Sequence, residues 1–308
     1  MRTRQLGRSD MTIEPLVFGC NVLGWTLEEK AAFTVLDAYV DHGFTAFDTA
    51  DVYGRGKSET ILGNWMKARG NRDKLLVFTK VGSDMGQGKR DLSARWIAEE
   101  IEHSLRRLQV DHVDLYQSHF PDEATPQEET MEAFDRLVRA GKVRWLGSSN
   151  QNAALLSEAL AISKRHGWAR YETIQNQFNL YDQEAFAEVQ ELGVKEQVSG
   201  LGYFSLARGF LTGKYRSAAD AGKSPRGQTV VTKYLDPRGQ RILAALDAVA
   251  ARNEAKSAEV ALAWAVAQPG VGAAIASATN VEQVESLAKG VRLRLSDEDL
   301  RELSVAAR

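Results

Sequence analysis

The chain has 308 residues, 44% apolar and 26% charged, the proportions of an ordinary globular protein. Its 39 basic and 41 acidic side chains nearly cancel, with no basic stripe and no acidic tail, which argues against a nucleic-acid partner or a cation store. Cys20 is the only cysteine, so an intrachain disulfide and a cysteine metal cluster are excluded; Met1–Asp10 has no apolar core like that of a signal peptide, and no apolar run nears the roughly 20 residues that span a bilayer. The expectation is a soluble, cytoplasmic protein with no membrane partner and no metal.

Met1–Gly7 passes through the turn-like Gly7-Arg8-Ser9-Asp10 into Thr12–Pro15, which reads as a β-hairpin ahead of the main fold. A rhythm of strand then helix follows. Strand-like Leu16–Gly19 precedes a helical period over Glu28–Asp41, and Phe44–Phe47 precedes Ser58–Lys67 with Ser58 as N-cap. Leu75–Thr79 precedes Ala94–Leu108, capped by Ser93, and Val113–Gln117 precedes Gln127–Ala140, stopped by Gly141. Val143–Gly147 precedes Ala153–His166, closed by Gly167, and Glu172–Gln175 precedes Glu184–Leu192. Gly200–Phe204 opens a seventh unit, although Lys195, Glu196 and Gln197 interrupt the apolar run expected before it. Helices Gln240–Asn253 and Ala258–Ala267, strand Val271–Ala276 and helix Val281–Ala288 complete the series.

Length alone permits one large domain or two small ones, but eight such units over about 250 residues point to a single (β/α)₈ TIM barrel spanning 1–308. A doubly wound sheet is the competitor; its G-x-G-x-x-G fingerprint is absent. Ser205–Gly239 breaks the rhythm with glycines, prolines and charges. It reads as a long loop after strand seven, at the end of the barrel where such enzymes keep their sites, part of it folding over a ligand.

Strand two ends in Asp48, with Tyr53 five residues on; strand three ends in Lys80 and strand four in His119. Alone, each has a plainer reading: an Asp before Thr as a cap, a Tyr as packing, a strand-end Lys reaching solvent. Together at consecutive strand ends they form a candidate catalytic set. A free tyrosine titrates near 10, too high for easy proton donation at neutrality, whereas an adjacent ammonium lowers that value. Lys80 would thus tune Tyr53, Asp48 would anchor Lys80, and His119 would hydrogen-bond a substrate carbonyl. The set holds a proton donor without a strong nucleophile or spaced metal ligands. Carbonyl reduction suits it, with the hydride supplied by a cofactor. A Schiff-base aldolase acting through Lys80 remains open at this point.

At these residues the chain resembles the aldo-keto reductase family, in the branch of potassium-channel β subunits and their bacterial relatives, from Met1 to about Leu287. The carrying segments are Phe47–Gly54, Phe78-Thr79-Lys80, Asp114–His119, Gly147–Asn150, Gln175-Asn176-Gln177 and Leu206–Lys214. The resemblance implies NADP(H) bound without a Rossmann unit and Tyr53 as general acid among the four matched residues. It further implies that Ser149, Asn150 and Gln175 hold the nicotinamide carboxamide and that Tyr203 stacks on its ring. Leu206, Arg208, Gly209 and Lys214 would grip the pyrophosphate, and Cys20, Asn21, Phe204, Ser205, Thr279, Ser277 and Gln283 would complete the cofactor site.

Three departures stand out. Phe204-Ser205 replaces the family's Ser-Pro; Ser277 and Gln283 stand where many relatives place lysine and arginine; and Ser286 and Leu287 replace a polar pair near the adenine. NAD(H) is therefore not excluded by the residues. The pocket is expected among Asn21, Leu23, Trp25, Tyr53, Met85, His119, Phe120 and Phe204, with Tyr234 from the long loop, a lining suited to a mid-sized carbonyl or alcohol. A monomer or weak homo-oligomer is expected. A cofactor-binding regulatory subunit is the competing function, and His119 counts against it, because those relatives carry another residue there.

Overall fold

The computed structural model describes residues 3–308. Strands β1 (Arg4–Gln5) and β2 (Thr12–Ile13) pair antiparallel. Eight parallel strands then close a barrel: β3 (Leu16–Gly19), β4 (Ala46–Asp48), β5 (Leu76–Val81), β6 (Val113–Ser118), β7 (Val143–Ser149), β8 (Tyr171–Gln177), β9 (Ser199–Tyr203) and β10 (Val271–Ala276). Each strand pairs with the next, and β10 returns to β3 with Ala274 opposite Leu16. This is a (β/α)₈ TIM barrel with an N-terminal hairpin.

Between the strands lie helices α1 (Glu29–Asp41), α2 (Lys57–Arg69), α3 (Ala94–Leu108), α4 (Gln127–Arg139), α5 (Ala153–His166) and α6 (Glu184–Glu196). After β9 come α7 (Gly227–Tyr234), α8 (Pro237–Arg252) and α9 (Ser257–Ala267), and after β10 come α10 (Val281–Arg292) and α11 (Asp297–Ala306). The strands are largely buried on both faces because one face meets the helices and the other the barrel interior. The interior is filled by Val17, Ala46, Phe78, Leu115, Leu201, Ala273 and Ile275, and the hairpin's Leu6, Met11 and Ile13 join the same cluster. The hairpin therefore closes the N-terminal end of the barrel.

Several local expectations need correction. Gly56, not Ser58, is the N-cap of α2; the Ser58 hydroxyl instead donates to the Cys20 carbonyl (2.8 Å). Lys195 and Glu196 end α6 and Gln197 caps it at φ 55°, so the charged run precedes β9 rather than interrupting it. Ser205–Gly239 is not an unstructured loop: it holds two 3₁₀ turns, Ala207–Thr212 and Ala218–Lys223, then all of α7. Asp182 ties α7 to the barrel, accepting from the Tyr234 hydroxyl (2.7 Å), Gln177 Nε2 (2.6 Å) and the Lys233 ammonium (2.9 Å).

Candidate active site at the C-terminal end of the barrel

Asp48 and Lys80 reach the site from the C-terminal ends of neighbouring strands β4 and β5, whose register pairs Asp48 with Phe78. The Lys80 side chain is wholly buried. Its ammonium donates to Asp48 Oδ2 (2.7 Å) and the Thr49 carbonyl (2.7 Å), and its third contact is the Tyr53 hydroxyl at 3.5 Å. All three donors are thereby used. The other Asp48 oxygen accepts from Gln117 Nε2 and Gln175 Nε2, both at 3.0 Å, so the carboxylate is held from β5, β6 and β8 at once.

Tyr53 is aimed by the turn that follows it. Gly54, Arg55 and Gly56 take φ of 59°, 53° and 87°, a left-handed run that swings the chain from strand end to helix. At Gly56 a Cβ would also stand 2.5 Å from Arg107 Cδ, so glycine is required there twice over.

His119 follows β6, and its ring meets Tyr53 edge-on at 5.8 Å and stacks on Phe120 at 4.8 Å. Its Nδ1 lies 3.0 Å from the Ser83 hydroxyl. Burial, with the charges of Lys80 and Arg90, holds His119 well below the ordinary histidine value, so the imidazole is neutral at physiological pH. A ring whose Nδ1 is met by a hydroxyl is positioned to present Nε2 to a ligand.

The titration of Tyr53 differs from the expectation. Burial pushes its phenol above the usual value; the Lys80 charge pulls it down but does not prevail, partly because Asp48 opposes it. Lys80 shows the converse balance. Burial lowers its affinity for a proton, yet the Asp48 carboxylate and Tyr53 more than compensate, and it stays charged. Neutral His119, protonated Tyr53 and charged Lys80 therefore coexist at pH 7.

On the neighbouring strands Ser149 Oγ donates to the Gln175 carbonyl (2.8 Å), and Asn150 Nδ2 donates to the His119 carbonyl (2.9 Å) and to Ser149 Oγ (3.0 Å). The Tyr203 hydroxyl donates to Asn150 Oδ1 (2.7 Å). These four residues form one connected array beside Asp48. Beyond Tyr203 the chain turns back through left-handed Phe204 (φ 51°), Ala207 (φ 48°), Arg208 (φ 56°) and Gly209 (φ 93°). Ser205, at the family's proline position, is buried with its hydroxyl 2.8 Å from the Gly202 carbonyl and 3.1 Å from that of Ile275. A side-chain hydrogen bond thus restrains the turn where proline would have done so by its ring. Leu206 is half-buried at the start of the first 3₁₀ turn.

The Leu206–Lys214 segment suits a diphosphate. Arg208 Nε is buried without a hydrogen-bond partner, and the Lys214 ammonium beside Gly209 has no carboxylate partner among the described residues, so both cations are available to an anion. The segment after β10 is less basic. Ser277 Oγ lies 2.6 Å from the Gly19 carbonyl and 2.8 Å from Asn21 Oδ1, and Gln283 Oε1 accepts from the Thr279 backbone (2.8 Å), so these residues are engaged internally.

Some pocket residues lie elsewhere than expected. Cys20 and Leu23 are wholly buried in the core cluster between barrel and helices, Cys20 close enough to Asp48 and Lys80 for their charges to act on it. Tyr234 is buried too, stacked on Phe210 at 5.4 Å, and supports the loop from beneath. Met85 and Phe120 are half-buried and Trp25 is exposed, all on loops at the strand ends. Sequence reasoning passed over Gln117 and Ser83. Gln117 sits between Tyr116 and Ser118 in a strand that also carries Asp114, so nothing local singled it out, and a serine in a loop offers no signal either.

Fold and site together define a (β/α)₈ barrel carrying a buried Asp–Lys–Tyr–His set at its C-terminal mouth. The model of the aldo/keto reductase family matches residues 15–307. Relatives include "Aldo-keto reductase YhdN" of Bacillus subtilis (strain 168), 34% identical over 284 residues, which covers 90% of this chain and 83% of that protein. "Aldo-keto reductase yakc [NADP(+)]" of Schizosaccharomyces pombe (strain 972 / ATCC 24843) is 29% identical over 99% of this chain and 91% of its own length. "Probable voltage-gated potassium channel subunit beta" of Arabidopsis thaliana is also 29% identical, over 94% of this chain and 91% of its own length. The chain belongs to the aldo/keto reductase family, and its activity is nicotinamide-dependent oxidoreduction. Among the described residues no helix is long and apolar enough to cross a membrane, and no cluster of metal-binding side chains occurs.

Proposed function

We propose that this chain, acting as one barrel domain over 1–308, interconverts aldehydes or ketones and alcohols with NADP(H), Tyr53 serving as the proton donor and acceptor. The observation that carries this is the buried ammonium of Lys80, shared between Asp48 Oδ2 at 2.7 Å and the Tyr53 hydroxyl at 3.5 Å. Reduced nicotinamide, when bound, supplies a hydride to the carbonyl carbon. Ser149, Asn150 and Gln175 would hold its carboxamide, with Tyr203 against the ring; Arg208 and Lys214 would meet the phosphates.

The chain's own residues manage the proton. His119 Nε2 orients the carbonyl oxygen, and the Tyr53 hydroxyl gives that oxygen its proton as charge builds there. Lys80 stabilises the phenolate left behind, and Asp48, Gln117 and Gln175 keep Lys80 in place. Burial raising Tyr53 favours the protonated donor that reduction needs. An aldolase role for Lys80 is disfavoured by its charge and by its three filled contacts, because an amine nucleophile must be neutral and free.

NADP(H) over NAD(H) rests on the yakc relative's name, since Arg208 and Lys214 meet the diphosphate that both cofactors share and Ser277 and Gln283 add no charge. The test follows loss of NADPH absorbance with a panel of carbonyls. Tyr53→Phe should lower kcat by about 10²- to 10⁴-fold with little change in NADPH affinity. Retention of most activity in Tyr53→Phe would remove the proton-donor role. Tight NADPH binding with no turnover of any carbonyl would favour a cofactor-binding regulatory subunit.

A further inference from the structure

Two guanidinium groups on loops at the C-terminal end of the barrel each lie over an aromatic ring. Arg90, in the loop after β5, sits 4.4 Å from the centroid of Phe120, the ring that stacks on His119. Arg226, the residue that caps α7, sits 4.4 Å from the centroid of Trp25 in the loop after β3. Trp25 is 51% exposed and Arg226 half-buried, and their contact joins two segments distant in sequence, the loop after β3 and the start of α7.

Neither arginine has a carboxylate partner or a side-chain hydrogen bond among the described residues. Arginines elsewhere commonly do: Arg69 with Asp37, Arg107 with Glu59, Arg144 with Asp114, Arg292 with Glu14. An unpaired surface arginine is usually just solvated. Arg69 and Arg292 also lie over rings but spend their N–H groups on Asp37 and Glu14. Arg90 and Arg226, like Arg208 over Phe204, instead combine an aromatic platform with no carboxylate partner and so keep their N–H groups free to bind. Arg226 is in addition partly desolvated within reach of the Arg208 charge, and both effects hold its pKa below the ordinary arginine value. A desolvated, repelled cation without an anion is an unfavourable arrangement that a bound anion would relieve.

We propose that the mouth selects carbonyl substrates carrying an anionic oxyacid group, a carboxylate or a phosphate, gripped by Arg90 or Arg226 while the carbonyl oxygen lies between Tyr53 and His119. This rests on the carbonyl-reductase reading above. The redox step is unchanged: the carbonyl carbon takes a hydride from the reduced nicotinamide, which becomes oxidised, and the oxygen takes the Tyr53 proton. Arg90 and Arg226 act through the remote charge alone.

Two matched pairs test it at saturating NADPH: 4-formylbenzoate against its neutral methyl ester, and glyceraldehyde 3-phosphate against glyceraldehyde. The expected kcat/KM favours the anionic member of at least one pair by about tenfold or more, the scale of a charge-assisted hydrogen bond, and the pair that responds distinguishes carboxylate from phosphate. The preference should reside in KM and shrink as salt is raised. In Arg90→Gln or Arg226→Gln the anionic-to-neutral ratio should fall towards one, and lysine at the same position should restore part of it. Equal turnover of charged and neutral members overturns the inference while leaving the reductase reading intact. So does a change in the variants confined to the KM for NADPH, which would assign these arginines to the cofactor. No turnover of any of the four compounds sinks the reductase reading, and the inference with it.

Discussion

His119 shows how burial can set chemistry without any change of residue. Its ring is enclosed, faces Lys80 and Arg90, and meets Ser83 at Nδ1, so it stays neutral far below the ordinary histidine value. The rate of carbonyl reduction should therefore show no inflection near pH 6.5, and its loss at high pH should begin only above 10, where the raised Tyr53 phenol ionises. A pH profile of kcat/KM checks both limbs; a break between 6 and 7 would mean that His119 works as a cation. The sign for stability is opposite to the usual salt-bridged histidine. Below about pH 6.5 the unfolded chain takes a proton on His119 that the folded chain refuses, so this group costs stability as pH falls. The four strand-end groups were legible in the sequence because strand ends are countable. Ser83 and Gln117 were not, because their roles depend on distances across the barrel that no spacing encodes.

At the scale of elements, α2 and α3 are locked to β5 through one arginine. Arg107 reaches Glu59 Oε2 (2.6 Å) and the carboxylate of Glu100, while Glu59 Oε1 accepts from Thr79 (2.6 Å), the residue next to Lys80. Asp51 lies close enough that Glu59 and Glu100, after burial itself, push its carboxyl well up, towards the protonated form. Arg107→Met would leave two buried carboxylates facing each other and should cost about 3 kcal/mol in urea unfolding, the scale for breaking a buried ion pair. A loss under 1 kcal/mol would mean that water or a protonated acid replaces the arginine. Helix α7 was missed although Val230, Val231 and Tyr234 carry its apolar face, because Pro225 and Pro237 bracket a short stretch that reads as loop. Helix α11 carried a readable signal, Ser296 with Asp299 as a capping box, and lay beyond the last repeat counted.

For the whole molecule, the barrel was the most legible feature, because eight apolar strands alternating with longer helical periods allow few other closures. What periodicity could not convey is that the hairpin belongs to the barrel's interior. Leu6 is fully buried with Phe78, Leu115 and Leu201 in one cluster. Leu6→Ala should therefore destabilise the entire fold by about 2–4 kcal/mol, as for a core leucine, rather than merely loosen a terminus. Unfolding followed by circular dichroism measures this, and a change within 0.5 kcal/mol, the range about an exposed site shows, would mean the hairpin is only draped over the barrel.

The hairpin also makes the molecule one-ended in a practical sense. Its strand residue Thr12 is exposed on the face opposite Tyr53, and the sole natural thiol, Cys20, is sealed in the core. A cysteine placed at Thr12 would be the single reactive handle on the surface, and a support or dye attached there would leave the working mouth turned outward.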